Sequence, residues 1–208
     1  MKSVLLPLLA VLSSLIALGC GSVPSQLSNL ESGHFKSKAL VRDLKTNKSQ
    51  VVNLEVKAFD MNNVRLDVTS SLGMHVFSLV NTTDKVEYMI VPEKKHFSGK
   101  SGPKALAPVF SAPIDPRYLG YMFFEKPVPD KNWSCENDAE NKLATCKDLK
   151  SKMTITWEKN KDGSRLIRIL YPNVSLVQIN VKDFSNDLKN RDETLQLKVP
   201  KSFSSQQI

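Results

Sequence analysis

Cys135 and Cys146 flank the polar stretch "ENDAENKLAT", a spacing that suits a covalent cross-link across the end of a hairpin. Closing a loop of this size stabilises a fold by roughly 3 kcal/mol in the chain-entropy picture. The same pair could supply half of a zinc site. No second pair completes it, however, and His34, His75 and His96 stand singly with no ligand spacing. A structural disulfide between Cys135 and Cys146 is therefore expected, with no metal and no cofactor. Carboxylates offer no better chemistry, because Asp130 and Glu136 read as parts of polar connecting segments, where such residues solvate turns. The sequence contains no G-x-S-x-G, H-E-x-x-H, P-loop or G-x-G-x-x-G pattern. It names no nucleophile, general base or phosphate cradle, and an enzyme is not the reading it favours.

Cys20 raises a different chemistry. It closes "MKSVLLPLLAVLSSLIALGC", in which Lys2 is a positive start, Val4 to Leu18 an apolar stretch, and small residues lead up to the cysteine. The apolar run contains Pro7, Ser13 and Ser14 and falls short of the roughly 20 residues that a membrane-spanning helix requires. The ending "ALGC" resembles a bacterial lipobox, in which the cysteine is acylated and becomes the mature N-terminus. Cleavage by ordinary signal peptidase is the alternative, and it would leave a lone thiol in an oxidising compartment. The chain has three cysteines, so acylation of Cys20 leaves Cys135 and Cys146 as a pair; parity favours the lipid. The organisation expected is a signal peptide over residues 1–19, a lipidated N-terminus and polar tether over 20–32, and one domain over 33–208.

Loss of residues 1–19 removes Lys2 and lowers the formal net charge from +8 to +7. A tethered basic protein is drawn to anionic headgroups by about 1 kcal/mol per well-placed Lys or Arg. The basic residues are scattered along the chain rather than clustered, which argues against nucleic acid as partner.

The elements that would hold any site are mostly strands. His34–Leu44, Gln50–Phe59, Val64–Thr69, Met74–Val80 and Lys85–Val91 alternate apolar and polar residues, separated in part by the turn-rich "DLKTNKS", "DMNN" and "NTTD". Period two puts Leu54, Val56 and Ala58 on one face, and Val64, Leu66 and Val68 likewise. Four prolines between residues 103 and 116 then break the rhythm. A short helix is expected over Lys104–Phe110. A second starts at Asp115-Pro116, with an N-cap acceptor followed by a proline, and puts Leu119, Met122 and Phe123 on one side. Strands resume over Asn132–Glu136, Leu143–Asp148, Met153–Lys159, Arg165–Tyr171, Val174–Lys182 and Thr194–Val199, for about eleven in all. A meander of this kind curls into a half barrel whose concave face two apolar helices would cover. Either the space beneath them is an apolar pocket for acyl chains or the helices seal a dry core; periodicity shows burial, not vacancy.

Three segments carry a family resemblance. "VRLDVTSSLGMHVFSLV" is similar to a segment of the LolA/LolB superfamily of lipoprotein carriers in which R-L-x-L-x-N-P-L-G precedes another strand, and the "APIDPRYLGYMFF" helix and the late "LQLKVPKSF" fit beside it. The resemblance runs from about His34 to Phe203, and the lipid anchor points to the outer-membrane receptor branch, LolB, or its relatives. It implies an open antiparallel half barrel covered by helices, with a cavity for lipoprotein acyl chains lined by Val56, Val64, Leu66, Val68, Leu119, Met122 and Phe123. It also implies a protruding aliphatic loop at Ser71, Leu72 and Gly73, with Ser71 where the family has proline. A LolA-like periplasmic carrier is the implied partner. Gly21, where an inner-membrane retention aspartate would stand, favours the periplasmic face of the outer membrane. The disulfide and its hairpin have no counterpart in that pattern, which leaves a paralogue or an envelope-assembly scaffold as the other reading.

Leu72 itself has two possible fates. It can turn inward and cap the core, as leucines commonly do, or stand in solvent as a wedge for a bilayer.

Overall fold

A computed structural model describes residues 23–24, 26–107 and 114–208. The signal peptide expected over residues 1–19 and Cys20 lie outside these residues, as does the second half of the helix expected over Lys104–Phe110; residues 104–107 form a turn.

Twelve strands make one sheet: β1 (Gly33–Asp43), β2 (Ser49–Ala58), β3 (Val64–Ser70), β4 (His75–Asn81), β5 (Lys85–Ile90), β6 (Lys95–Lys100), β7 (Trp133–Asn137), β8 (Leu143–Asp148), β9 (Thr154–Lys159), β10 (Arg165–Tyr171), β11 (Ser175–Ser185) and β12 (Ser204–Gln207). Their order is β12-β6-β5-β4-β3-β2-β1-β11-β10-β9-β8-β7. Two meanders, β1 to β6 and β7 to β11, are thus joined by the β1·β11 pair, and β7 and β12 are left as edges. The sheet is open, and every pair is antiparallel except β12 on β6.

Two strands differ from expectation. Strand β6 has only Phe97 as a buried apolar residue, and the edge strand β12 is the fully polar "SSQQ", so neither shows a readable alternation. Conversely, Thr194–Val199 is not a strand. Leu195, Leu197 and Val199 are half-buried at period two, but this segment crosses the outer face of the sheet, and the Arg65 guanidinium donates to the carbonyls of Thr194 and Gln196 (3.1 and 3.2 Å) in place of a neighbouring strand. A one-turn helix, α2 (Arg191–Thr194), introduces it.

Antiparallel pairing sends the turns alternately to two ends. Residues 44–48, 71–74, 91–94, 149–153 and 172–174 lie at one end, called upper here, and 59–63, 82–84, 138–142 and 160–164 at the lower end. The concave face carries the core. Asp115 starts the covering segment as expected: its carboxylate accepts from the Arg117 N–H at 3.0 Å, Pro116 follows, and a single 3₁₀ turn runs into α1 (Leu119–Phe123). Leu119, Met122 and Phe123 are buried, as is Phe124. Phe35 on β1 meets the rings of Phe123, Phe124 and Phe184 at centroid distances of 5.3, 5.2 and 5.1 Å. The Trp157 indole N–H donates to the Met122 carbonyl at 2.8 Å. A Cβ at Gly120 would stand 2.3 Å from the Met61 carbonyl oxygen, so only glycine lets α1 lie this close to the lower β2–β3 turn.

Candidate functional site

Cover is uneven along the concave face. Val56 and Val64, at the lower end of β2 and β3, are buried together with Leu119, Met122 and Phe123, in close packing beneath α1. Leu66 and Val68 point to the same side of β3 but are only partly buried, as are Leu54 on β2, Val41 on β1 and Val177 on β11. The register sets them in two groups: Leu54 is opposite Val68, with Leu66 further along β3, and Val41 is opposite Val177, with the buried pair Ala39 and Val52 between the groups. The residues expected to line one cavity therefore divide in two. Five are packed into the core beneath α1, and two belong to an apolar strip that faces solvent towards the upper end. Leu54 joins them on β2, where period two already placed it inward, and Val41 and Val177 form a second such pair on β1 and β11; nothing in the sequence marked any of the three as incompletely covered.

The strip ends at the β3–β4 hairpin. The Gly73 N–H donates to the Ser70 carbonyl at 2.9 Å, and the Ser70 N–H to the Met74 carbonyl at 2.8 Å. Gly73 takes φ +82°, which a three-residue loop of this kind demands and glycine supplies without strain. Ser71 occupies the position before the tip. Leu72 does not cap the core: it is 84% exposed, and Met74 beside it is 63% exposed.

Ionisable groups near this hairpin serve architecture. Ser78 donates to the Asp67 carboxylate, the His75 ring nitrogen lies 2.8 Å from the Ser78 hydroxyl, and Arg65 donates to Asp67 at 2.7 Å. A serine, a histidine and an aspartate meet here, but the imidazole does not stand between the other two, so no proton relay from the hydroxyl exists. Burial works against ionisation of Asp67, yet the hydrogen bonds from Arg65 and Ser78 outweigh it and hold its carboxyl below the usual value of 3.8. A group whose folded pKa is depressed stabilises the fold above its unfolded pKa, and that contribution is lost as pH falls through the folded value. The melting temperature of the wild type should accordingly exceed that of Asp67→Asn near neutrality, and the gap should close as the pH falls below the usual carboxylate value of 3.8, as read by circular dichroism.

The other histidines have separate partners: His34 pairs with Glu55 at 2.8 Å, and His96 lies 3.2 Å from the Ser205 hydroxyl. Asp130 accepts from the Tyr118 hydroxyl at 2.7 Å and from the Asn132 N–H at 2.8 Å, and Glu136 is exposed on β7 rather than in a connection. Among the described residues, no group of three His, Cys, Asp or Glu side chains could hold a metal.

Cys135 and Cys146 are direct partners in the β7·β8 pair and are joined by a disulfide on the concave side, where Cys146 is fully buried. The unreduced mature protein should show the mass of one disulfide and no alkylation at either cysteine; two alkylated thiols would contradict this.

Compared by sequence, the chain matches no protein-family model and no curated protein. Solved structures do match. A LolA superfamily protein from Nitrosomonas europaea superposes with a TM-score of 0.51 at 6% identity, over 80% of this chain and 90% of that one. A DUF1329 family protein from Desulfovibrio piger superposes with a TM-score of 0.48 at 10% identity, over 82% and 91%. At such identities the likeness is one of architecture. One open, nearly all-antiparallel sheet, with its concave face crossed by a short apolar helix, gives this chain the LolA/LolB fold.

Proposed function

We propose that the chain is an envelope lipoprotein that takes up acyl chains of other lipoproteins on its concave face and passes them to the outer membrane. The observation that carries this reading is that Leu54, Leu66 and Val68 on β2 and β3, and Val41 and Val177 on β1 and β11, are apolar and inward-facing yet only partly buried. A water-facing apolar strip inside a curved sheet suits a flexible hydrocarbon chain, which gains about 0.8 kcal/mol per buried methylene. In this reading Cys20 carries the anchoring lipid at the periplasmic face of the outer membrane. A soluble carrier of the same fold delivers the cargo, and Leu72 at the tip of the adjacent hairpin eases the acyl chain into the bilayer. No covalent step and no cofactor enter the scheme.

Titration of the full chain with a fluorescent fatty acid tests the reading. Saturable binding is expected, and Val68→Asp should weaken it by tenfold or more, since an uncompensated carboxylate on the strip costs well over about 1.4 kcal/mol. Absence of saturable binding by the folded wild type would defeat the proposal.

A further inference from the structure

The two ends of the sheet differ in charge and in greasiness. The five upper turns carry Lys45, Lys48, Lys94, Lys150 and Lys152 against a single acid, Glu93. The four lower turns carry Asp60, Asp84, Asp138, Glu140 and Asp162 against Lys142 and Lys161. Asp43 and Asp148 also stand at the upper end, and each accepts backbone N–H groups of its turn, as Asp60, Asp138 and Asp162 do at the lower end; counting them leaves the upper end basic and the lower end acidic. Exposed apolar side chains follow the lysines. Leu72 and Met74 tip one upper turn, and Leu149, 51% exposed, opens another between Asp148 and Lys150. Val51 and Leu170 stand exposed on the upper parts of β2 and β10. Of the six large exposed apolar residues among the described ones, only Ile208 is at the lower end.

We infer that the upper end as a whole, and not the Leu72 hairpin alone, is a docking surface for an anionic phospholipid bilayer, with Leu72, Met74 and Leu149 entering the headgroup layer and the lysines around them meeting lipid phosphates. Lysine fits this role because its long stem lies along apolar surface while the ammonium stays at the headgroups. A protein partner would call for anchors of another kind, since binding hot spots favour Trp, Tyr and Arg; at the upper end Arg42 is bonded to Asn47 of its own turn, and Trp133 and Tyr171 are half-buried, so the protruding side chains are Leu, Met and Lys.

Geometry adds a requirement on the tether. Leu27 is buried, and the Arg165 guanidinium at the lower end of β10 donates to the Pro24 carbonyl at 3.4 Å. The start of the domain is thus held at the end opposite the docking face. An eleven-residue strand such as β1 is about 36 Å long, whereas the tether of residues 21–32, fully extended, reaches about 40 Å. An anchored chain can bring its upper end to its own membrane only when Pro24 and Leu27 leave their berth.

This inference takes its purpose from the acyl-transfer reading, and its test is arranged so that either can fail alone. Hydrogen exchange would be followed on the full, lipidated chain in vesicles of phosphatidylcholine alone and of phosphatidylcholine with an equal share of phosphatidylglycerol. Binding of the fluorescent fatty acid would be measured on the same samples. On the anionic vesicles, exchange at 44–48, 71–74 and 149–153 is expected to slow about tenfold, the lower turns to stay unchanged, and residues 27–30 to exchange faster. Lys48→Glu combined with Lys150→Glu, two exposed turn lysines, should abolish the slowing while leaving both the melting temperature and fatty-acid binding intact. Slowing that ignores lipid charge, that affects both ends equally, or that appears only when soluble periplasmic protein is added would overturn the inference. Loss of fatty-acid binding with the slowing preserved would count against the acyl-transfer reading alone.

Discussion

Phe123→Ala should destabilise the protein by about 3–5 kcal/mol. The ring is 2% exposed and packs against Phe35, whose own ring is simultaneously held by Phe124 and Phe184. Deleting it leaves a void beside three other buried aromatic rings, and the neighbours cannot close over it. α1 is fixed from both sides, by the Trp157 bond to the Met122 carbonyl and by the contact of Gly120 with the Met61 backbone. Urea unfolding followed by tryptophan fluorescence would measure the loss. A change below about 1 kcal/mol would mean that α1 is a loosely laid cover rather than part of the core.

Leu72→Glu should have the opposite profile. The side chain touches little, so stability should change by no more than about 0.5 kcal/mol. Transfer of a bound acylated peptide into liposomes should nevertheless slow by tenfold or more. The substitution removes a contact with the bilayer worth about 1.5–3 kcal/mol and replaces it with a charge that resists entry. Uptake of the peptide should persist, because Leu66 and Val68 are untouched. A lowered melting temperature would contradict the exposed position, and unchanged transfer would contradict the wedge.

The contrast between these two residues also marks what was legible in the sequence. Short β-branched and apolar runs with a period near two, over β1 to β5 and β8 to β11, made the meander and its inner face readable, and Asp115-Pro116 marked the start of the covering segment, because both signals are local. Partner-dependent features were hidden. β12 is polar throughout and becomes a strand only because β6 offers it an edge. Residues 194–199 alternate as a strand should, but Arg65 satisfies their carbonyls from a side chain more than a hundred residues away in sequence. The candidate site divides in the same way. Period two put Val56, Val64, Leu66 and Val68 on one face; which of them α1 would cover depended on Gly120 meeting Met61, a contact that no window of sequence contains. The charge difference between the two ends was likewise invisible until antiparallel pairing sorted the turns, since the lysines and acids are interleaved along the chain.

The claim that acyl chains occupy the upper part of the concave face can be tested most directly by photo-crosslinking. An acylated peptide with a photoreactive group along its hydrocarbon chain would be bound to the full protein, irradiated, and the adducts mapped by mass spectrometry. Saturable adducts are predicted on the segments that carry Val41, Leu54, Leu66, Val68 and Val177. Adducts confined to the outer face of the sheet, or spread without saturation over the exposed apolar residues, would contradict the account.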